Sequence, residues 1–184
     1  DWSSDVCSSD LFGENFFLYK LFPKSKTLNR FHLNHKNISE TIEVDCIKGA
    51  FLFLPKSTFE KYNGFDERFF FYAEETDFCF QVKKNGGKNY FYPDTSIIHN
   101  GGVATEKMLW FKYKNQSFAK IKLYQKNYFG CEKLFLILFH YLGLFLRVFV
   151  YLFFAIVTLK KSRVTKSYLY LKQLFIYPKN IFKT

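Results

Sequence analysis

Carboxylates are concentrated in one short stretch of this chain. Five of them lie between residues 66 and 77, with aromatic residues among them. A carboxylate held against apolar aromatic surface has a raised pKa and can act as a general base, and several together can bind a divalent cation. His99 follows Asp77 by 22 residues, at the end of a predicted strand, where a histidine can complete such a site. The spacing therefore indicates the active site of an enzyme.

These residues also have a purely structural interpretation. Glu74, Glu75 and Asp77 fall in the first turn of a predicted helix, where acids complement the helix dipole without any catalytic role. His99 can equally be an ordinary core or surface histidine. The aromatic run at 69–72 favours the catalytic interpretation, because burying it would also desolvate the carboxylates that follow.

The pattern around the acids predicts an α/β domain. Residues 43–54 are rich in β-forming side chains, contain Gly49 and stop at Pro55, which is typical of a strand. Gly49 there is either a packing glycine or a position where a side chain would block a sugar or nucleotide. The acids begin a predicted helix at 74–84, closed by Gly86. Further predicted elements are a short helix at 57–62 with a capping box starting at Ser57, and strands at 89–92 and 95–99.

Charge is distributed unevenly along the 184 residues. Residues 1–106 contain 12 Lys and Arg against 15 Asp and Glu, a net charge of −3, whereas residues 107–184 contain 15 against one, a net charge of +14. A basic, aromatic-rich C-terminal part suits an anionic membrane surface or a nucleic acid. The four cysteines are far apart without a CxxC pair, which argues against a zinc ribbon and favours reduced thiols in the cytoplasm.

The C-terminal part is predicted to be helical and to associate with membranes. A helix is expected at 109–126, and residues 134–159 form the most apolar stretch, with only two ionisable side chains. Composition allows this second helix to span a bilayer, and a narrow polar stripe allows it to lie in the interface, so both remain open. The stripe consists of four residues at spacings of 3, 4 and 4: His140, Gly143, Arg147 and Tyr151.

An ordered set of motifs covers residues 20–130. Its members are 44–50, 64–67, Phe70, Tyr72, 74–79, Gly87, Pro93 and His99. Together they resemble the C-terminal half of bacterial family 2 glycosyltransferases of the rhamnosyltransferase-like branch. The order and spacing of the whole set carry the resemblance, since no single motif is specific.

The resemblance implies a GT-A fold and inverting transfer of a sugar from a nucleotide donor. The family's Glu-Asp-x-Asp motif corresponds to residues 74–77, which makes Glu75 the expected catalytic base, with Glu74 and Asp77 as the other expected catalytic acids. Glu75 replaces the family's Asp, so either Glu74 or Glu75 can face the acceptor. The family's histidine corresponds to His99, which is expected to help to bind Mg²⁺ or Mn²⁺. The expected substrate-binding residues are Gly49, Ala50, Asp66 and Tyr72.

The chain also departs from the family. It contains no Asp-x-Asp metal motif, and residues 1–11 are polar and repetitive, like a translated sequencing adapter. We therefore expect a non-native segment at 1–11, the acceptor-side part of a partial GT-A-type α/β domain at 12–130, and a helical, apolar and basic tail at 131–184. Such a fragment lacks most of the donor site and is expected to be inactive alone.

The implied partners are a nucleotide-sugar donor, a glycan or lipid-linked acceptor and an anionic membrane surface, with no nucleic acid. The expected location is the cytoplasmic face of the bacterial inner membrane. Two other functions compete with this one. The chain can be a non-enzymatic peripheral membrane module that presents its basic amphipathic tail, or a nucleic-acid binder that uses lysines and aromatics at 107–128, although no known nucleic-acid motif accompanies them.

Overall fold

The computed structural model of this chain describes residues 15–22, 24–25, 38–99 and 108–176, so the expectation for residues 1–11 lies outside it. The described part is mostly helical with a small two-stranded sheet, a partial α/β unit followed by a helical tail. The elements are α1 (Leu18–Leu21), β1 (Ile42–Val44), a 3₁₀ turn (Gly49–Phe51), α2 (Lys56–Lys61), α3 (Glu74–Lys84), β2 (Asn89–Phe91), α4 (Leu109–Asn127), α5 (Gly130–Thr158) and α6 (Lys161–Ile176).

Polar contacts fix the small sheet to α3. β1 pairs antiparallel with β2, and Val44 lies opposite Asn89. The buried Asn89 amide donates hydrogen bonds to the carbonyls of Asp45, at 3.1 Å, and of Cys79 in α3, at 3.2 Å. Lys83 near the end of α3 binds the Asp45 carboxylate at 2.5 Å, with side-chain exposures of 10% and 11%. These contacts hold β1 and the turn after it against α3.

One predicted strand is much shorter in the structure, and another is not a strand. The strand predicted at 43–54 is limited to Ile42–Val44, after which the chain is irregular and forms the 3₁₀ turn that contains Gly49. The segment predicted as a strand at 95–99 is irregular and exposed. A strand needs a hydrogen-bonded neighbour, and among the described residues β1 has only the three residues of β2 beside it.

The helix predictions are closer to the structure. The predicted helices at 74–84 and 109–126 are α3 and α4, the latter one residue longer. The helix predicted at 57–62 is α2, one residue earlier at each end. Its capping box is not formed, because Pro55 occupies the N-cap position and no side chain caps the helix.

The apolar stretch forms a helical hairpin that packs onto the rest of the described chain. α5 carries the predicted polar stripe on its buried side, where His140, Gly143 and Arg147 lie. The chain turns at Leu159, whose φ is 52°, and α6 runs back along α5. Ser167 of α6 donates a hydrogen bond to a carbonyl of α5 at 2.9 Å. The sequence predicted a helical, basic tail over this region, without the turn that separates α5 from α6.

One hydrophobic core joins the acidic segment to the tail. Burial of these aromatic and aliphatic side chains is the main force that holds α3, α4 and α5 together. The core residues are Phe69, Phe80, Leu123, Tyr124, Tyr128 and Leu136.

Replacing Lys83 with Met should destabilise the chain, because it leaves the Asp45 carboxylate almost buried without its cation. We expect a loss of roughly 3 kcal/mol in the free energy of unfolding, measured by urea denaturation. The matched control is Lys88→Met, which removes an exposed ion pair with Glu43 at 3.3 Å and should leave the midpoint nearly unchanged. If both variants lower the free energy of unfolding equally, the claim that the buried Lys83–Asp45 ion pair holds the sheet against α3 is contradicted.

Candidate active site

A strained backbone turn precedes the acidic helix. Tyr72 and Ala73 have φ values of 71° and 67°, in the left-handed region that non-glycine residues rarely occupy. Such residues cost about 1–3 kcal/mol each and are concentrated at functional sites. Aromatic packing supports the turn, since the Phe71 ring lies 4.7 Å from the Tyr72 ring and 5.4 Å from the Phe111 ring in α4, centroid to centroid. The turn sets where the first residues of α3 point.

Glu75 is the acid that borders a cavity. The cavity has a volume of about 410 Å³, within the range of small-molecule sites, and Tyr72, Ala73, Glu75 and Thr76 form part of its wall. Glu75 is half-buried. Burial raises the pKa of its carboxyl above the ordinary value of 4.5, and the neighbouring charge of Glu74 raises it further. A carboxylate with a raised pKa is suited to accept a proton from a hydroxyl group.

Gly49 lies directly against Glu75. A Cβ atom built on Gly49 would be 3.5 Å from the Cβ and 3.7 Å from the carboxyl carbon of Glu75, which is ordinary van der Waals contact. The 3₁₀ turn of Gly49 and Ala50 therefore packs beside the candidate base. Ala50 itself is exposed. Glu74 is half-buried, and its Oε2 atom has no hydrogen-bond partner among the described residues.

Asp66 and Asp77 share one ammonium group. The Nζ atom of Lys126 lies 2.6 Å from an oxygen of each carboxylate. The Asn127 amide donates a further hydrogen bond to Asp77 at 3.1 Å, and the Arg68 Nε atom donates one to Asp66 at 2.9 Å. The Arg68 guanidinium, followed by the Lys126 ammonium, holds the pKa of Asp66 well below its ordinary value of 3.8. In this structure both acids fasten α3 and the preceding loop to α4.

His99 belongs to no group of acids that could hold a metal ion among the described residues. It is exposed at the end of the irregular segment 95–99. Within the described ranges, His, Cys, Asp and Glu side chains do not gather in any group of three that could hold a metal ion. The described residues by themselves therefore form no such group, and the Mg²⁺ or Mn²⁺ requirement stays a prediction.

The opposite wall of the cavity is formed by residues that the sequence did not predict to be part of the site. Three of the four residues of the predicted polar stripe, His140, Arg147 and Tyr151, border the cavity. From the sequence alone the stripe indicated only how α5 meets a membrane. Burial lowers the pKa of His140 well below 6.5, and the charges of Lys120 and Arg147 lower it further, so this imidazole is neutral. The residues with charged or amide groups on this side are Lys20, Gln116, Lys120, Arg147 and Gln173.

Comparison with known proteins reveals similarity to rhamnosyltransferases. A segment of 72 residues, 39% of this chain, is 29% identical to Rhamnosyltransferase WbbL of Escherichia coli K12 and covers 27% of that protein. A segment of 62 residues, 34% of this chain, is 31% identical to N-acetylglucosaminyl-diphospho-decaprenol L-rhamnosyltransferase of Mycobacterium tuberculosis and covers 20% of it. No family model and no solved structure matches the chain.

The predicted resemblance to rhamnosyltransferase-like glycosyltransferases is thus confirmed for part of the chain. The matching segments span about a quarter and a fifth of the curated relatives' lengths. Both relatives are sugar transferases by name, so the class that this chain resembles is that of glycosyltransferases.

Replacing Lys126 with Met should leave the Asp77 carboxylate, which is only 3% exposed, without its cation, whereas Asp66 keeps its ion pair with Arg68. We expect a loss of about 3–5 kcal/mol in the free energy of unfolding at pH 7. The loss in free energy of unfolding relative to the wild type should shrink as the pH falls from 7 to 4, because a buried carboxylate without a cation is stabilised when it takes up a proton. Wild-type Asp66, by contrast, keeps its stabilising effect above about pH 4 and loses it only as the pH falls further.

The control for this variant is Lys122→Met, one turn earlier on α4. Lys122 donates to the Arg68 carbonyl and touches neither carboxylate in the described contacts. Its replacement should change stability little and without this pH dependence. Thermal unfolding across a pH series measures the stability of both variants. If Lys126→Met is destabilised by the same amount at every pH, the arrangement in which Lys126 binds two carboxylates is contradicted.

Proposed function

We propose that this chain carries the acceptor side of an inverting glycosyltransferase that moves a sugar from a nucleotide-sugar donor to a glycan or lipid-linked acceptor. The observation that carries the proposal is the position of Glu75, the residue that corresponds to the family's base. It lies half-buried on a substrate-sized cavity and has a raised pKa. Similarity to two rhamnosyltransferases supports the same class of reaction. The GT-A fold and the family 2 assignment belong to this proposal.

The reaction is one in-line displacement. The Glu75 carboxylate accepts the proton of an acceptor hydroxyl, and that oxygen bonds to the anomeric carbon of the donor sugar. The bond between the anomeric carbon and the nucleoside diphosphate breaks, and its electron pair leaves with the diphosphate. Attack from the side opposite the leaving group inverts the anomeric centre. Tyr72 and Gly49 border the same acid and position the acceptor sugar beside it.

Association with the cytoplasmic face of the inner membrane is part of the proposal. α5 is long and apolar enough to cross a membrane by length and composition. Its polar stripe, however, is buried against α4 and α6, which leaves an apolar outer side and suits a hairpin lying in the interface. The exposed apolar residues of this outer side include Leu142, Phe145, Phe149, Leu152, Phe153 and Ile156.

The same apolar surface favours a second candidate function, a non-enzymatic membrane module. The two functions differ in their dependence on Glu75. A membrane module needs the outer side of α5 and the basic residues around it, whereas a glycosyltransferase also needs the carboxylate at the cavity.

Replacing Glu75 with Gln should abolish sugar transfer, because the amide keeps the shape of the side chain but cannot accept the proton. We expect a loss of at least a hundredfold in kcat for the product of the whole reading frame, assayed with nucleotide sugars and membrane lipids. In the wild type, kcat should fall as the pH drops through a value above 4.5, the ordinary pKa of a glutamate.

The matched control is Glu74→Gln, one position earlier on the same turn. Its effect on kcat should be much smaller, since the described lining of the cavity contains Glu75 and not Glu74. If Glu74→Gln is the more damaging variant, the base has been assigned to the wrong acid. Full activity in Glu75→Gln would favour the membrane-module function.

Replacing Phe149 and Phe153 with Ser should weaken binding to vesicles of phosphatidylcholine and phosphatidylglycerol. Each side chain is exposed on α5, and burying an aromatic side chain contributes about 1.5–3 kcal/mol, so binding should fall at least tenfold in a sedimentation assay. The control is Phe53→Ser with Phe70→Ser, which removes two exposed aromatics outside the hairpin. Equal loss in both double variants would contradict an α5-directed membrane surface.

A further inference from the structure

Two cysteine side chains meet beside the candidate base. Cys46 follows β1, Cys79 lies in the middle of α3, and both are free thiols. The Asn89 amide donates hydrogen bonds to the carbonyls of Asp45 and Cys79, at 3.1 and 3.2 Å. The chain directly before Cys46 is thereby held against α3. The Cys46 thiol also lies 3.6 Å from the hydroxyl of Thr76, which is three residues before Cys79 on the same face of α3.

The two thiols also interact with each other. The Cys46 thiol, assisted by the backbone N–H of Ile47, holds the pKa of Cys79 below its ordinary value of 9.0, against the opposing effect of burial. The same contact, together with burial, raises the pKa of Cys46. Because the thiolate is the reactive form of a cysteine, Cys79 is the better nucleophile of the pair.

The two cysteines differ in their access to solvent. Cys79 is 0% exposed, whereas Cys46 is partly exposed. A small oxidant therefore reaches the sulfur of Cys46 before that of Cys79. Oxidation of an isolated thiol continues to sulfinic and sulfonic acids, but a neighbouring thiol diverts the first product, a sulfenic acid, to a disulfide. In the reducing surroundings expected for this chain, such a disulfide is a transient response to an oxidant rather than a structural crosslink.

We propose that Cys46 and Cys79 form a redox-sensitive pair that hydrogen peroxide converts reversibly into an intramolecular disulfide. The Cys46 sulfur attacks one peroxide oxygen, the O–O bond breaks, and the released hydroxide takes the Cys46 proton to become water. The Cys79 thiolate then attacks the sulfur of the Cys46 sulfenic acid. The S–S bond forms, the S–O bond breaks, and the leaving hydroxide takes up the proton that Cys79 had released. Two thiols are oxidised, and one peroxide is reduced to two molecules of water.

The disulfide ties the chain after β1 to α3 at the edge of the candidate site. Gly49, three residues after Cys46, packs against Glu75, and Thr76 borders the cavity. The crosslink closes the loop from residue 46 to residue 79, so it restricts the unfolded chain and should stabilise the folded one. The inference goes beyond the proposed function and does not rest on it, because it concerns the chemistry of the two thiols, whichever reaction the site performs.

The experiment exposes the full chain to hydrogen peroxide and digests it without reductant. Mass spectrometry should find the peptides of Cys46 and Cys79 joined, with a loss of about 2 Da for the two hydrogens, and dithiothreitol should separate them. The oxidised chain should unfold at a urea concentration about 1 M higher than the reduced chain, because the crosslink restricts the unfolded state. Cys46→Ser should give neither the joined peptide nor the shift in midpoint.

The matched control is Cys131→Ser, which removes an exposed thiol at the start of α5. It should form the same disulfide and show the same shift in midpoint as the wild type. In Cys79→Ser the sulfenic acid at Cys46 has no second thiol to react with, and dimedone should trap it. Cys46 is partly exposed, so Cys46→Ser keeps the test informative if Cys79→Ser fails to fold.

Three results would overturn the proposal. The first is a wild-type chain in which Cys46 is oxidised to the sulfinic acid while Cys79 remains a thiol. The second is a set of joined peptides that contain Cys131 in place of this pair. The third is a crosslinked chain whose urea midpoint is lower than that of the reduced chain, because two thiols that already lie side by side need no distortion of the fold to be joined.

Discussion

One ammonium group shared by two acids fixes the geometry of the candidate site. Lys126 of α4 contacts Asp77 in the first turns of α3 and Asp66 in the loop before it, each at 2.6 Å. Because the Asp77 carboxylate is almost fully removed from water, it is not stable there without the cation, whereas Asp66 also has the Arg68 guanidinium beside it. The contact brings the strained turn at 72–73 to one position against α4, and Glu75 then borders the cavity. The position of Glu75, the candidate base, therefore depends on two acids that are themselves held in ion pairs.

The apolar tail completes the cavity. The polar stripe of α5 faces the described body of the chain, where His140 and Arg147 meet residues of α4 and α6 around the recess. Gly143 lets the backbone of Asn15 approach α5, since a Cβ atom there would lie 2.6 Å from the Asn15 carbonyl oxygen. The two sides of the helix therefore differ. Its inner side borders the cavity, and its outer side is an exposed apolar surface.

The sequence predicted local features well and long-range partners poorly. The acids in the first turn and the closing Gly86 located α3, because those signals lie at the ends of the helix itself. The strands at 43–54 and 95–99 were overestimated, because strand formation depends on a neighbour that β-propensity does not specify. The family's motif indicated Glu75, but no local signal showed that Asp66 and Asp77 share Lys126, more than 45 residues away. The polar stripe was visible, yet only packing showed that it borders the cavity of Glu75.

The central claim is that a single base at this cavity drives inverting transfer of a sugar to a lipid-linked acceptor. The most direct test follows a ¹³C-labelled sugar from its nucleotide donor into the organic-extractable product made by the whole reading frame. NMR coupling constants then give the anomeric configuration of that product. The account predicts labelled lipid whose anomeric configuration is opposite to that of the donor. Retained configuration would contradict the single displacement, and label found only in water-soluble products would contradict the lipid-linked acceptor.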